Sequence, residues 1–206
     1  PRSTSSAASD VYKRQDLLSL KTDLLVIVIN KNTKDKVVNQ LAKDVSSHLK
    51  ESGSSVLVPN AKSFNAKNVL LVKGFQDSDQ IHKLISMYQS IAQKGNQLKA
   101  KDISIMPGTV YPKGKCEMWL IEMVAKTIES NVYIFSETCN KTAKKPSVKK
   151  LNILVSSLTK SDLIKAKNAA KKGYAIGEGV NTAKYLGDLP ANHCTPRIIE
   201  KKVKAM

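Results

Sequence analysis

The chain has 206 residues, of which 41% are hydrophobic and 25% are charged, a composition typical of a soluble protein with one domain of ordinary size. No apolar run approaches the roughly 20 residues of a membrane-spanning helix, and the N-terminal residues lack the apolar segment of a secretory signal. We therefore expect a cytoplasmic protein. Its net charge of +17 predicts attraction to polyanions at low salt, unless an acidic partner balances it.

The first fifteen residues are rich in serine and alanine and have no hydrophobic period. We expect residues 1–15 to be disordered, because such a stretch buries too little apolar surface to offset the entropy lost on ordering. They also lack an initiator methionine, and a leader that is foreign to the protein would explain both features.

From residue 16 to residue 158, short apolar runs alternate with longer amphipathic segments. Runs rich in valine, isoleucine and leucine predict strands that are buried on both faces, as in a parallel sheet. The predicted strands begin at Asp23, Ser55, Asn68, Asp102 and Leu151. The predicted helices cover residues 34–51, residues 77–94 and a third segment that begins at residue 115. This order of elements predicts a layered α/β domain with a mostly parallel sheet flanked by helices.

The third helical segment is ambiguous from its residues alone. Its first part, residues 115–128, carries apolar side chains at helical spacing, as an amphipathic helix does. Residues 132–135, Val-Tyr-Ile-Phe, have instead the composition of a strand.

A long helix is predicted over residues 159–188. It opens with a capping signal, in which Thr159 precedes Asp162 by three residues, and its apolar side chains follow helical spacing. Three glycines interrupt it, at Gly173, Gly177 and Gly179. Each lowers helix stability by about 1 kcal/mol relative to alanine. We expect close packing at these glycines, or a bend.

A rigid elbow follows this helix. Two prolines restrict φ between Asp188 and Pro196, and Thr195 with Pro196 forms an N-cap followed by a proline in the first helical position. A second helix is therefore predicted from Pro196. Only ten residues later, at Met206, the sequence stops, which is too soon for this helix to bury an apolar face of its own.

The run NTAKYLGDLPANHCTP, from Asn181 to Pro196, resembles the domain junction of the leucine (cytosol) aminopeptidase family. In that family a long helix ending in a similar string leads into the catalytic domain. His193 departs from the apolar residue that is more usual before the cysteine. By the same analogy, we expect the ambiguous third segment to be one helix from residue 115 through Cys139.

The resemblance implies a domain organisation and an activity for the parent protein. Residues 16–158 would be an N-terminal α/β domain related in shape to macro domains, residues 159–188 a linker helix, and residues 189–206 the start of a truncated catalytic domain. The parent would be a cytoplasmic aminopeptidase that removes N-terminal residues from peptides with two divalent cations, Mn²⁺ or Zn²⁺. By resemblance, it would be a homo-hexamer, and this segment would support the assembly.

No catalytic or metal-binding residue is assigned to this chain. The strings that supply the metal ligands in the family, the aspartate-rich G-x-x-x-D-S-G-G loop and N-T-D-A-E-G-R, do not occur in this sequence. His48 and His82 have no histidine or carboxylate four residues later, and His193 beside Cys194 lacks a third group. Structural positions are the favoured interpretation of all three histidines.

The alternative function is a nucleic-acid-binding or regulatory module. Its candidate contact residues form a lysine cluster: Lys141, Lys144, Lys145, Lys149 and Lys150. Without aromatic residues or arginine nearby, binding to DNA would follow the phosphate backbone rather than the base sequence. A solvated loop is the simpler interpretation. Phosphate binding by the segment Pro107-Gly108-Thr109 and Pro112-Lys113-Gly114 is less favoured than a plain loop, because strand-to-helix loops are rich in glycine and proline anyway. ADP-ribose-type binding by the macro-like domain is the least favoured function.

Overall fold

A computed structural model of the chain describes residues 8–13, 19–30, 36–75, 81–108, 111–136, 146–155 and 159–204. Six strands form one sheet: β1 (Ala8–Lys13), β2 (Thr22–Ile29), β3 (Ser55–Pro59), β4 (Ala66–Lys73), β5 (Asp102–Met106) and β6 (Lys150–Val155). Their order across the sheet is β1-β6-β5-β2-β4-β3, and only β3 runs antiparallel to its neighbour. The predicted mostly parallel sheet is confirmed.

The described residues contain these α-helices: α1 (Lys36–Asp44), α2 (Ile81–Gln97), α3 (Glu117–Val132), α4 (Lys160–Asp188) and α5 (Pro196–Val203). The helix predicted over residues 34–51 is shorter than expected, since a separate 3-10 helix at Ser46–His48 follows α1. Helices α2, α3 and α4 pack on one face of the sheet and α1 on the other, which confirms the layered α/β fold. Within the described ranges, no helix is long and apolar enough to cross a bilayer.

The central strand β2 shows why the inner strands are continuously apolar. Leu24 and Val26 lie in the core beneath α2 and α3, whereas Leu25 and Ile27 lie in the core beneath α1. All four side chains are fully buried. Because successive side chains of a strand point to opposite faces, an uninterrupted apolar run is stable only where both faces are covered.

The prediction that residues 1–15 are disordered is wrong for Ala8–Lys13, which form β1. This strand pairs in parallel with β6, from Ala8 opposite Lys150 to Lys13 opposite Val155. Without β1, the outer edge of β6 would present unpaired backbone N–H and C=O groups. Strand pairing is made by backbone N–H and C=O groups, which nearly every residue carries, so an edge strand can form without an apolar pattern in its sequence.

The prediction of one helix through Cys139 is also wrong, because α3 ends at Val132 and residues 133–136 are irregular. The amide of Asn96, on α2, donates a hydrogen bond to the Val132 carbonyl at 2.9 Å. The ammonium of Lys184, on α4, reaches the Ser130 carbonyl at 2.5 Å. These side chains satisfy the last carbonyls of α3, so the helix ends there without a glycine or proline. Cys139 itself lies outside the described residues.

Candidate functional site

The face of α4 that packs on α3 approaches it more closely than ordinary side chains allow. A Cβ atom at Gly173 would collide with the carbonyl oxygen of Glu122, and one at Gly177 would lie 2.7 Å from the Cβ of Glu129. Both positions therefore need glycine, as the predicted close packing requires. At Gly179 that expectation fails, since an added Cβ would meet no atom within 4 Å.

Polar side chains fix the position of α4 beside the end of α3. The Asn181 amide donates to the backbone carbonyl of Glu129 at 3.0 Å and to its carboxylate at 3.3 Å. Asn181 and Glu129 are 5% and 2% exposed, so this contact is shielded from water. Nearer the end of α4, the hydroxyl of Tyr133 donates to the carboxylate of Asp188 at 3.0 Å. The helix is thus held to the α/β domain along most of its length.

The elbow between α4 and α5, residues 189–195, is hydrogen-bonded to its own backbone. The amides of His193 and Cys194 both donate to the carbonyl of Pro190, at 2.8 and 2.9 Å. The Cys194 thiol donates to the carbonyl of Leu186, in the last turn of α4, at 3.4 Å. Cys194 therefore helps to anchor the turn, whereas the neighbouring His193 is exposed and the two do not form a catalytic pair.

Helix α5 begins at Pro196, where the sequence predicted it, although the Thr195 hydroxyl makes no capping hydrogen bond. The ammonium of Lys202 lies 3.3 Å from the centre of the Tyr185 ring, a cation–π contact that joins α5 to α4. The same ring packs against Phe135, with 6.2 Å between ring centres. These contacts set the direction in which the chain leaves α4.

The described part of the chain holds no group of three His, Cys, Asp or Glu side chains that could bind a metal ion. His48 is exposed in the 3-10 helix, His82 is exposed in the first turn of α2, and His193 is exposed in the elbow. They lie on separate elements and do not form a common site. The described residues therefore do not fit the two cations expected of the parent enzyme.

The lysine cluster is only partly within the described residues. Lys149 and Lys150, at the start of β6, are exposed. Their backbone amides donate hydrogen bonds to the carbonyl of Lys101, the residue before β5. Lys141, Lys144 and Lys145 lie outside the described residues. The predicted nucleic-acid contact at this cluster stays a prediction.

The strand ends near Pro107-Gly108 are tightly packed. The Asn30 side chain lies against both Gly74 and Gly108, where an added Cβ would overlap it. Beneath them, the hydroxyl of the fully buried Tyr88 has no hydrogen-bond partner among the described residues, and burial raises the pKa of its phenol far above the usual value. Contact with the Asn30 side chain accounts for the glycine at position 108.

Comparison with known proteins gives relatives over most of the chain. It is 30% identical over 180 residues to a "Probable cytosol aminopeptidase" of Vesicomyosocius okutanii, covering 85% of this chain and 35% of that protein. It is 27% identical over 210 residues to the protein of the same name from Azotobacter vinelandii, covering 95% of this chain and 41% of the relative. The chain thus spans between a third and a half of the length of these relatives. No protein-family model matches the chain.

Solved structures show the same fold. A leucine aminopeptidase mutant of tomato superposes with a TM-score of 0.67 at 17% identity, over 97% of this chain and 42% of that one. The bottromycin maturation enzyme BotP, in complex with Mn, superposes with a TM-score of 0.63 at 14% identity, over 89% of this chain and 36% of that one.

Fold and sequence together define the class of this chain: it is an α/β domain of the kind that forms the N-terminal part of aminopeptidases. Its curated relatives are named cytosol aminopeptidases and a structural neighbour is a leucine aminopeptidase, and the chain is homologous to the N-terminal domain of these proteins. The resemblance to aminopeptidases that the residues from Asn181 to Pro196 indicated is confirmed, and the similarity extends over most of the chain.

Proposed function

We propose that this chain is the N-terminal, non-catalytic segment of a leucine aminopeptidase. The parent would be a cytoplasmic hydrolase that releases N-terminal amino acids from peptides with two divalent cations, Mn²⁺ or Zn²⁺. The observation that carries the proposal is the match over 85% of this chain to only 35% of a cytosol aminopeptidase. The Mn named with the BotP structure supports a metal-dependent parent.

The role of this segment is mechanical. In the parent, the two cations would activate a water and polarise the scissile carbonyl. A role outside the chemistry is supported by the described residues, which hold no group of three His, Cys, Asp or Glu side chains that could bind a cation. The contacts of the chain instead fix α4 against the α/β domain, and the elbow and α5 then set the direction in which the chain continues into the next domain. We also propose that residues 16–158 support assembly of a homo-hexamer, with residues 159–188 as the linker and residues 189–206 as the start of the catalytic domain.

A leucine amide assay with Mn²⁺ tests whether the hydrolytic activity lies outside this chain. The 206-residue chain is expected to show no turnover above the buffer rate. The longer polypeptide that reads through residue 206 is expected to show turnover that a chelator abolishes. Metal-dependent turnover by the 206-residue chain alone, or none by the longer polypeptide, would contradict the proposal.

A second candidate function, backbone-driven binding of DNA, is favoured by the net charge of +17 and by the exposed Lys149 and Lys150. A salt titration of DNA binding tests it, since each neutralised phosphate steepens the log-log slope of affinity against salt. Charge reversal by Lys149→Glu with Lys150→Glu should then weaken binding and flatten this slope. The matched control is Lys62→Glu with Lys83→Glu, at exposed lysines elsewhere. Equal losses in both double variants would exclude a site at the cluster.

A further inference from the structure

The side of α4 that does not contact α3 carries an apolar strip that nothing in the described residues covers. Its members recur at three- and four-residue spacings, which places them on one face of the helix. We call this set the outer strip: Ala175, Ile176, Gly179, Val180 and Ala183. All five are exposed, including Ile176 at 39% and Val180 at 38%.

The glycine in the outer strip has no explanation within the described residues. Gly173 and Gly177 are needed because α3 lies against them, but an added Cβ at Gly179 would meet nothing within 4 Å. A glycine in an exposed helix interior costs about 1 kcal/mol relative to alanine. That cost is offset where another backbone approaches closely, as α3 already does on the opposite face of the same helix.

Helix α5 has the same character. None of its eight residues is buried, although Ile198, Ile199 and Val203 are apolar and Val203 is 63% exposed. A helix of this length is not stable in water by itself, so its apolar side chains indicate a surface that another part of a protein covers. The elbow and the Lys202 contact with Tyr185 attach α5 to the same helix that carries the outer strip.

The relatives show how much further polypeptide is available to cover these surfaces. The part that this chain matches is 35% of one curated relative and 41% of another, so more than half of each lies outside the match. The charge of this chain also fits an acidic occupant, because Lys+Arg number 34 against 17 for Asp+Glu. The exposed Lys171, one turn before Ala175, lies at the border of the outer strip.

We propose that the outer strip of α4, together with the apolar side chains of α5, is the docking surface for the polypeptide that follows residue 206 in a longer form of this protein. The inference rests on the proposed function, since it takes this chain as one segment of a larger enzyme. This polypeptide packs its backbone closely against Gly179 and places apolar side chains against Ile176 and Val180. It places an acidic side chain near Lys171.

Cysteine labelling measures whether the strip is covered. The background carries Cys116→Ser, Cys139→Ser and Cys194→Ser, so that a single introduced thiol reacts with a maleimide. Val180→Cys reports on the outer strip. Ile164→Cys, at a 64% exposed position of the same helix outside the strip, is the matched control. Each variant is prepared as the 206-residue chain and as the full-length polypeptide.

The full-length polypeptide is expected to label at least tenfold more slowly at Val180→Cys than the 206-residue chain, with equal rates at Ile164→Cys. Equal rates at both positions would overturn the proposal. So would labelling of the 206-residue Val180→Cys chain that slows as protein concentration rises, because a second copy would then be the occupant. Ile176→Cys repeats the test if Val180→Cys does not fold.

Activity separates this inference from the function on which it rests. Full-length protein that hydrolyses leucine amide with Mn²⁺ while Val180→Cys stays reactive would refute the docking surface and leave the proposed function standing. Full-length protein that lacks metal-dependent hydrolysis would refute the proposed function, whatever the labelling rates.

Discussion

The two faces of α4 use glycine in opposite ways. On the inner face, Gly173 and Gly177 let α3 approach until an ordinary side chain would overlap it. On the outer face, Gly179 lies among exposed apolar residues with no neighbour within reach of a Cβ. The comparison teaches that packing within this chain explains the glycines of one face, whereas no contact of the described residues explains Gly179 on the other, which is the face that we propose as a docking surface.

The largest expected effect comes from filling the inner face. Gly173→Ala places a methyl group against the backbone carbonyl of Glu122, which cannot rotate away. We expect the free energy of unfolding to fall by about 3 kcal/mol, at the upper end of the usual cost of overpacking. Urea unfolding followed by circular dichroism measures it. A loss below about 0.5 kcal/mol would show that α3 and α4 are not packed this closely.

The next effect comes from the polar contact on the same face. Asn181→Ala removes the donor to the buried carbonyl and carboxylate of Glu129. We expect a loss of about 2 kcal/mol in the free energy of unfolding, because buried acceptors lose a hydrogen bond that water cannot replace. Thr182→Ala, one residue further along and partly exposed, is the control, since its hydroxyl only bonds within α4. Equal losses in the two variants would show that the inner face contributes nothing specific.

A smaller effect tests the helix itself rather than either face. The Thr159 hydroxyl accepts from the Asp162 amide at 3.2 Å and donates to its carboxylate at 2.7 Å, so Thr159→Ala should cost about 1 kcal/mol in unfolding free energy. Thermal unfolding against pH refines the test. The hydrogen bond from Thr159 holds the pKa of Asp162 below the usual 3.8.

A lowered pKa in the folded state means that the carboxylate stabilises the protein above its unfolded pKa and loses this effect as pH falls through the folded value. The difference between the wild type and Thr159→Ala should therefore be largest near neutral pH and shrink in acid. A difference that grows on acidification would contradict this account of the cap.

The smallest effect has the opposite sign and lies on the outer face. Gly179→Ala should stabilise the 206-residue chain by up to about 1 kcal/mol, because the new methyl group meets no neighbour and alanine is the better helix former. The same urea titration measures it, with Gly173→Ala as the matched variant of opposite sign. Destabilisation of this chain by Gly179→Ala would show that position 179, like position 173, has no room for a methyl group, and would contradict the contrast between the two faces.

Much of the fold was predictable because its signals are local. The continuous apolar runs of β2 and β4 are dictated by burial on both faces, and the Thr159 cap places the start of α4. The strand β1 was missed, since backbone pairing with β6 leaves no periodic signal. The end of α3 was missed because its cap comes from Asn96 and Lys184, which are distant in the sequence.

The glycines of α4 were predictable in part: the sequence indicates their face of the helix but not the residues that they contact. Gly173 and Gly177 continue the spacing of the buried Ala166 and Ala170, so their place on the inner face could have been inferred from helical periodicity. Nothing in the sequence shows that Glu122 and Glu129 lie against them. Nucleic-acid contact by the lysines from Lys141 to Lys150 stays a prediction, because a run of charged residues indicates exposure to solvent and does not identify a binding partner.

The pairing of β1 with β6 has a practical consequence for handling the protein. Residues 8–13 occupy the flank of the sheet that would otherwise be open to strand exchange with another molecule. A protease or a cloning strategy that trims the N-terminus would uncover that flank. Preparations that keep residues 1–15 should therefore sediment as smaller species than trimmed material, which we expect to form higher oligomers.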